Sequence, residues 1–306
     1  MRRRWWRWVA GGLVALLLVV GGIGLQPGAA ITLWRRAEYL RAGARAHMLR
    51  VGDQNLAWIE MGDPEADPVL LVHGLRGEST VLLALARVLV ERGYRVVAID
   101  LPGHGRSPRP KPGFDIGRAA TLVARATERL LPGPQRPVIV GHSMGGWIVA
   151  LAALEHPELY SRVVLISSAG TIFDPPSYPL LLPRTTSEAR GGMPLLFDDP
   201  PWVPGPILWL AAQRDSRTSL DLLRSAADGR YLLEGLLGAM VPPALVIWGE
   251  GDRLIPVASG RRIAAELGAP LLIVPHAGHM VVWEASEIVG NGIADFLQRP
   301  APPPLP

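Results

Sequence analysis

The chain has no cysteine in its 306 residues, which excludes disulfide frameworks, thiolate nucleophiles and cysteine-ligated zinc. Charged residues make up only 19% and aromatics 6%, against 49% hydrophobic. That is an ordinary globular balance, slightly poor in charge, in a chain long enough for one large core. Positive charge is scarce where a nucleic-acid binder needs it. Residues 1–50 hold nine arginines and a single acid, Glu38, and the remainder carries 22 basic against 26 acidic residues. The basicity flanks an apolar run instead of striping the body, so no nucleic-acid partner is expected. No internal repeat is present.

What is there begins with a membrane signal. Arg2, Arg3, Arg4 and Arg7 alternate with Trp5, Trp6 and Trp8, and Val9 to Leu25 then runs without a charge. At about 1.5 Å per residue this run spans about 26 Å, just short of a hydrocarbon core of about 30 Å; interfacial tryptophans and a snorkelling Arg7 make up the difference. Residues 1–27 therefore read as a single-pass anchor, with the domain outside the cytoplasm. The alternative is a signal segment cleaved near Gly28-Ala29-Ala30, giving a secreted protein. Residues 28–50 form a basic linker. Within it 31–48 read as one helix, with Leu33, Ala37, Leu40 and Ala44 on a stripe that suits lipid headgroups or a solvated connector equally.

From Gln54 onward, apolar strands alternate with helix-length stretches. Strands are expected at Leu56–Met61, Pro68–Val72, Arg95–Asp100, Pro137–Val140, Arg162–Ser167, Ala244–Trp248 and Leu271–Val274. Helices are expected at Ser79–Glu91, Arg118–Leu130, Gly145–Leu154, Ser259–Leu267 and Ser286–Leu297. Alternation of this kind predicts an α/β fold with a mostly parallel sheet and helices on both faces. The pattern breaks after Ala169 into Pro-rich apolar stretches, read as an inserted cap. The expected organisation is a core in two parts, 51–170 and 241–299, around a cap at 171–240, with a Pro-rich tail at 300–306.

The chemistry sits at strand ends. Gly141-His142-Ser143-Met144-Gly145 follows an apolar strand and precedes a helix, the context in which a G-x-S-x-G turn presents a serine nucleophile. A serine hydroxyl needs a base to take its proton and an acid to orient that base. Val246-Ile247-Trp248-Gly249-Glu250-Gly251-Asp252 supplies two acids after a later strand, and Asp252 is preferred over Glu250 because it lies past the turn. Pro275-His276-Ala277-Gly278-His279 supplies two histidines, and His279 is preferred over His276. Two backbone donors are needed for a negative oxygen. The N–H of Met144, at the start of the helix, is one; Leu75, in His73-Gly74-Leu75-Arg76-Gly77, is the other. His73 is read as a brace for its loop, and Asp100-Leu101-Pro102-Gly103-His104-Gly105-Arg106-Ser107 as scaffolding near the site.

In this order and spacing, the H-G-L-R-G, D-L-P-G-H-G-R-S, G-H-S-M-G-G, W-G-E-G-D and G-H-M motifs resemble the α/β-hydrolase superfamily over roughly residues 52–298. The resemblance implies Ser143 as nucleophile, Asp252 as acid, His279 as base, and Leu75 with Met144 as oxyanion hole. Serine at the elbow departs from the dehalogenase and epoxide hydrolase branches, which place aspartate there. The layout of apolar segment, basic stretch and core is similar to that of membrane-anchored monoacylglycerol lipases and cold-adapted bacterial lipases. The apolar cap, with Phe197, Trp202 and Trp209 as candidate substrate contacts, suits an acyl chain. The expected activity is serine-dependent hydrolysis of a small-molecule ester or lipid, without metal or organic cofactor. The alternatives of the same fold are C–C bond hydrolysis, perhydrolysis, acyl transfer, or a non-catalytic tethered binding protein. Nothing in the sequence sets the oligomeric state.

Overall fold

The computed structural model describes residues 27–172, 181–213 and 217–299. The apolar run Val9–Leu25 and the tail 300–306 lie outside them. No helix among the described residues is long and apolar enough to cross a membrane.

The chain divides into two compact units, residues 1–43 and 44–306. The described part of the first is one helix, α1 (Pro27–Ala42). The reading of 31–48 as a single helix is corrected here: Gly43 adopts a positive φ of 68°, and Arg45–Val51 is a strand, β1, antiparallel to β2 (Gln54–Met61). Its alternating exposed and half-buried residues have the two-residue period of an edge strand.

The second unit continues as β3 (Pro68–Val72), α2 (Leu83–Glu91), β4 (Arg95–Asp100), α3 (Ile116–Leu130), β5 (Val138–His142), α4 (Met144–Glu155) and β6 (Arg162–Ile166). Then come α5 (Thr186–Leu196), α6 (Gly205–Gln213) and α7 (Arg217–Ala227), followed by β7 (Ala244–Gly249), α8 (Val257–Leu267), β8 (Leu271–Val274), α9 (Val281–Glu284) and α10 (Ser286–Gln298). Between β6 and β7 the described residues contain helices and no strand.

The eight strands form one sheet in the order β1-β2-β4-β3-β5-β6-β7-β8. The β1–β2 and β2–β4 pairings are antiparallel and all others parallel. Every residue of β3, β5 and β7 is buried, as a parallel strand covered by helices on both faces requires. The chain leaves β3 toward β4 and then crosses back to place β5 on the other side of β3. Loops after β3 and β5 therefore diverge, opening a crevice at their carboxyl ends where ligands bind in such sheets. Val72 pairs with Gly141 at that edge, so the loop after β3 starts at His73 beside the end of β5 at His142.

Candidate active site

Ser143 occupies the turn between β5 and α4 with φ 56° and ψ −123°, a conformation costing an L-residue about 1–3 kcal/mol. Its surroundings hold it there. Its N–H donates to the Ile166 carbonyl at 2.9 Å, and its own carbonyl accepts from Ala169 N at 3.0 Å. The flanking glycines are required by space: a Cβ on Gly141 would lie 2.3 Å from the Gly145 carbonyl oxygen, and one on Gly145 would lie 2.3 Å from that of Val72. Strand, helix and neighbouring strand thus pass at backbone contact, and the serine is forced out at the apex.

His279 Nε2 is 2.8 Å from Ser143 Oγ, and His279 Nδ1 is 2.9 Å from Asp252 Oδ2. The carboxylate can only accept, so Nδ1 carries the proton and Nε2 is left as a lone pair facing the hydroxyl. The other carboxylate oxygen, Oδ1, accepts from Leu254 N at 3.0 Å and Ile255 N at 2.8 Å. All three side chains are buried. The loops that carry Asp252 and His279 are zipped together by Glu250 N donating to Val274 O and Gly251 N to Ala277 O. Glu250 and His276, the alternative acid and base, are both exposed.

The backbone N–H groups of Leu75 and Met144 are not used in backbone hydrogen bonds among the described residues. Both residues line a cavity of about 340 Å³ that also contains Ser143 and His279. His73 braces the loop before Leu75: its Nε2 accepts from Leu101 N at 3.0 Å, and Nδ1 donates to the Gly74 carbonyl at 2.8 Å. In the neighbouring loop the Asp100 carboxylate accepts from Ser79 N at 2.7 Å and Arg106 N at 2.9 Å. Burial pushes that carboxyl above its ordinary range.

The cavity wall is apolar, formed from the region between β6 and β7 by residues including Met193, Leu196, Leu208, Ala211 and Leu222. Phe197, Trp202 and Trp209 are not among its lining residues. Phe197 packs edge-on against Trp283 at 5.5 Å, and Trp202 and Trp209 face solvent at 81% and 42% exposure. On α6 the buried Leu208, not its neighbour Trp209, faces the cavity. Sequence reasoning also passed over Arg76, whose guanidinium donates to the Ala211 carbonyl on α6, and Glu284, which accepts from Gly278 N and Asp198 N, both at 2.8 Å. Glu284 thereby ties the base loop to the segment after α5. Its position four residues beyond the G-H-M motif was the only available signal.

His142, the residue before Ser143, is fully enclosed. Burial first, and the neighbouring His279 second, push its pKa down from 6.5 to about 3. The fold therefore favours the neutral ring, and this contribution to stability is intact above about pH 6.5 and is lost as pH falls toward about 3. Denaturant titrations at a series of pH values should show a shallower loss of stability in that window for His142→Gln than for the wild type. Equal slopes would refute the assignment.

Residues 69–290 match the alpha/beta hydrolase family. A dihydrolipoyllysine-residue acetyltransferase component of an acetoin cleaving system, from Pseudomonas putida, is 31% identical over 269 residues, 84% of this chain and 70% of that protein. Xenopus laevis monoacylglycerol lipase abhd6-B is 26% identical, over 94% of this chain and 93% of its own length. The crystal structure of a membrane phospholipase A, a bacterial virulence factor, is similar with a TM-score of 0.80 and 30% identity, covering 97% of this chain and 98% of that one. With the sheet order, the elbow at Ser143 and these likenesses in agreement, the chain belongs to the alpha/beta hydrolase family and is a hydrolase.

Proposed function

We propose that the protein is a serine hydrolase of carboxylic esters, with lipid esters as the leading substrate class. The observation that carries this reading is the continuous relay Ser143 Oγ–His279 Nε2 and His279 Nδ1–Asp252 Oδ2, at 2.8 and 2.9 Å, opening on an apolar cavity. Ser143 Oγ attacks the ester carbonyl carbon while His279 Nε2 takes its proton. The carbonyl oxygen becomes negative and accepts from the N–H groups of Leu75 and Met144. Collapse breaks the carbon–oxygen bond, and the departing alcohol takes the proton from His279. Water, deprotonated by the same ring, then attacks the acyl-serine; the acyl–Oγ bond breaks, Ser143 Oγ takes the proton back from His279, and the acid is released.

Apolar walls favour an acyl chain over a charged substrate, in keeping with relatives named as a monoacylglycerol lipase and a membrane phospholipase A. In this reading residues 1–27 are a membrane anchor holding the catalytic domain outside the cytoplasm, and 171–240 form a cap over the acyl site. A series of p-nitrophenyl esters of increasing acyl length, assayed on the detergent-solubilised full chain alongside a monoacylglycerol, should show kcat/KM rising from short to medium or long chains. Activity confined to acetate would remove the lipid assignment, and no ester turnover would remove the esterase assignment. Acyl transfer is the second reading, favoured by the acetyltransferase component among the relatives. It shares the acyl-serine and differs in the acceptor, so adding lipid alcohols to the assay and measuring transesterified product separates the two.

A further inference from the structure

We infer that His142 is a positioning residue that keeps His279 in place after Ser143 has been acylated, an inference that rests on the roles proposed above for Ser143 and His279. His142 is the last residue of β5 and is 3% exposed. Its Nε2 lies 2.8 Å from the backbone carbonyl oxygen of His279, a residue 137 positions away. A carbonyl only accepts, so His142 Nε2 carries the proton and donates.

The site is assembled from two blocks. One is the elbow, carried by β5. The other comprises the acid and base loops, carried by β7 and β8 and zipped to each other. Two side-chain hydrogen bonds join the blocks at His279: Ser143 Oγ to its ring, and His142 Nε2 to its backbone. The first does not survive turnover. Once Ser143 Oγ is an ester oxygen it has no proton to donate, and the imidazole loses its partner when it must hold and deprotonate a water. The bond from His142 involves no reacting atom and persists through both half-reactions.

The ring is confined on its other side as well: its Nδ1 lies 3.3 Å from where a Cβ on Gly74 would sit, in the loop that carries Leu75. The tilted rings of His142 and His279 have centroids 5.1 Å apart. The charged and titratable groups that act on His142 are His279, Asp252 and His73. Because the buried ring stays neutral, it adds no second positive charge beside the imidazolium that forms on His279.

Replacing the donor is therefore expected to slow deacylation more than acylation. In His142→Leu, kcat should fall about 10²-fold, the cost of a small misplacement of a reacting group, and KM should fall with it, leaving kcat/KM within about tenfold of wild type. A pre-steady-state burst of p-nitrophenol close to one equivalent should accompany this. His142→Gln, whose amide N–H reaches the same carbonyl, should restore most of kcat. His142→Asn, one methylene shorter, should behave like leucine and replaces that variant if it does not fold.

Wild-type turnover in His142→Leu or His142→Asn would overturn the inference. So would kcat/KM falling as far as kcat with no burst, or glutamine performing no better than asparagine. Ser143→Ala separates the two levels of the argument. Substantial residual ester hydrolysis in that variant removes the underlying reading. An inert Ser143→Ala beside a normal His142→Leu removes this inference alone.

Discussion

Ser143→Ala is expected to reduce kcat by at least about 10³-fold on esters of any chain length, while the circular dichroism spectrum and thermal midpoint stay close to wild type. The hydroxyl contributes little to the fold: the turn is held by the backbone of residue 143 through Ile166 and Ala169, and an alanine meets the same positive φ at the same cost. The hydroxyl is instead the atom that the His279 lone pair faces. What remains in the variant is hydrolysis by water held near the two free N–H groups. A fluorophosphonate probe, which phosphonylates an activated serine with loss of fluoride, should label the wild type and not the variant. Near-normal turnover in Ser143→Ala would end the nucleophile assignment. Failure of the wild type to label would favour a tethered binding protein.

Asp252→Asn is expected to lower kcat by about 10³- to 10⁴-fold with KM changed only a few-fold. Both carboxylate oxygens are committed: Oδ2 accepts from His279 Nδ1, and Oδ1 from the N–H groups of Leu254 and Ile255. An asparagine that keeps its oxygen on the two N–H groups turns its NH2 toward Nδ1. This drives the imidazole proton to Nε2, where it faces Ser143 and blocks proton acceptance. The opposite orientation sets NH2 against two N–H donors inside a buried site, at the full cost of unsatisfied polar groups. Only the costly orientation keeps an acceptor on Nδ1–H, and its neutral amide lacks the negative charge that steadies the imidazolium. Glu250→Gln, at the exposed neighbouring acid, should leave kcat unchanged. A larger loss at Glu250 than at Asp252 would reverse the choice of acid.

The strands that carry the site were legible because a parallel strand covered on both faces is an unbroken apolar run. Pro68–Val72, Arg95–Asp100 and Leu271–Val274 read from the sequence with the bounds the structure has. Strand β1 was not legible. Arg45–Val51 carries two arginines and one histidine, sits at an edge with one face in water, and follows a helix closely enough for its residues to extend the helical stripe. The turn at Ser143 announced itself because its two glycines answer a steric demand of fixed spacing. The cavity wall did not. Leu208 and Trp209 are adjacent and both apolar, and which of them faces the substrate space depends on the angle at which α6 docks, set by residues far away in the chain. The bond from His142 to the backbone of His279 was equally out of reach, since it joins positions related only by the closed fold.

The placement of the helical segment between β6 and β7 has a consequence for diversification. β6 and β7 are neighbours in the sheet, with Val163 opposite Ala244 and Ile166 opposite Ile247. The strands on either side of the segment are thus tied to each other by the sheet, with the chain leaving at the carboxyl end of β6 and returning at the amino end of β7. That segment can be rewritten, and with it the wall of the cavity, without moving Ser143, Asp252 or His279 along their strands. Bonds from the His279 loop limit this freedom: Met280 N donates to the carbonyl of Leu196 at the end of α5, and Glu284 accepts from Asp198 N as well as from Gly278 N, so any replacement segment inherits the duty of supporting the loop on which the imidazole is mounted.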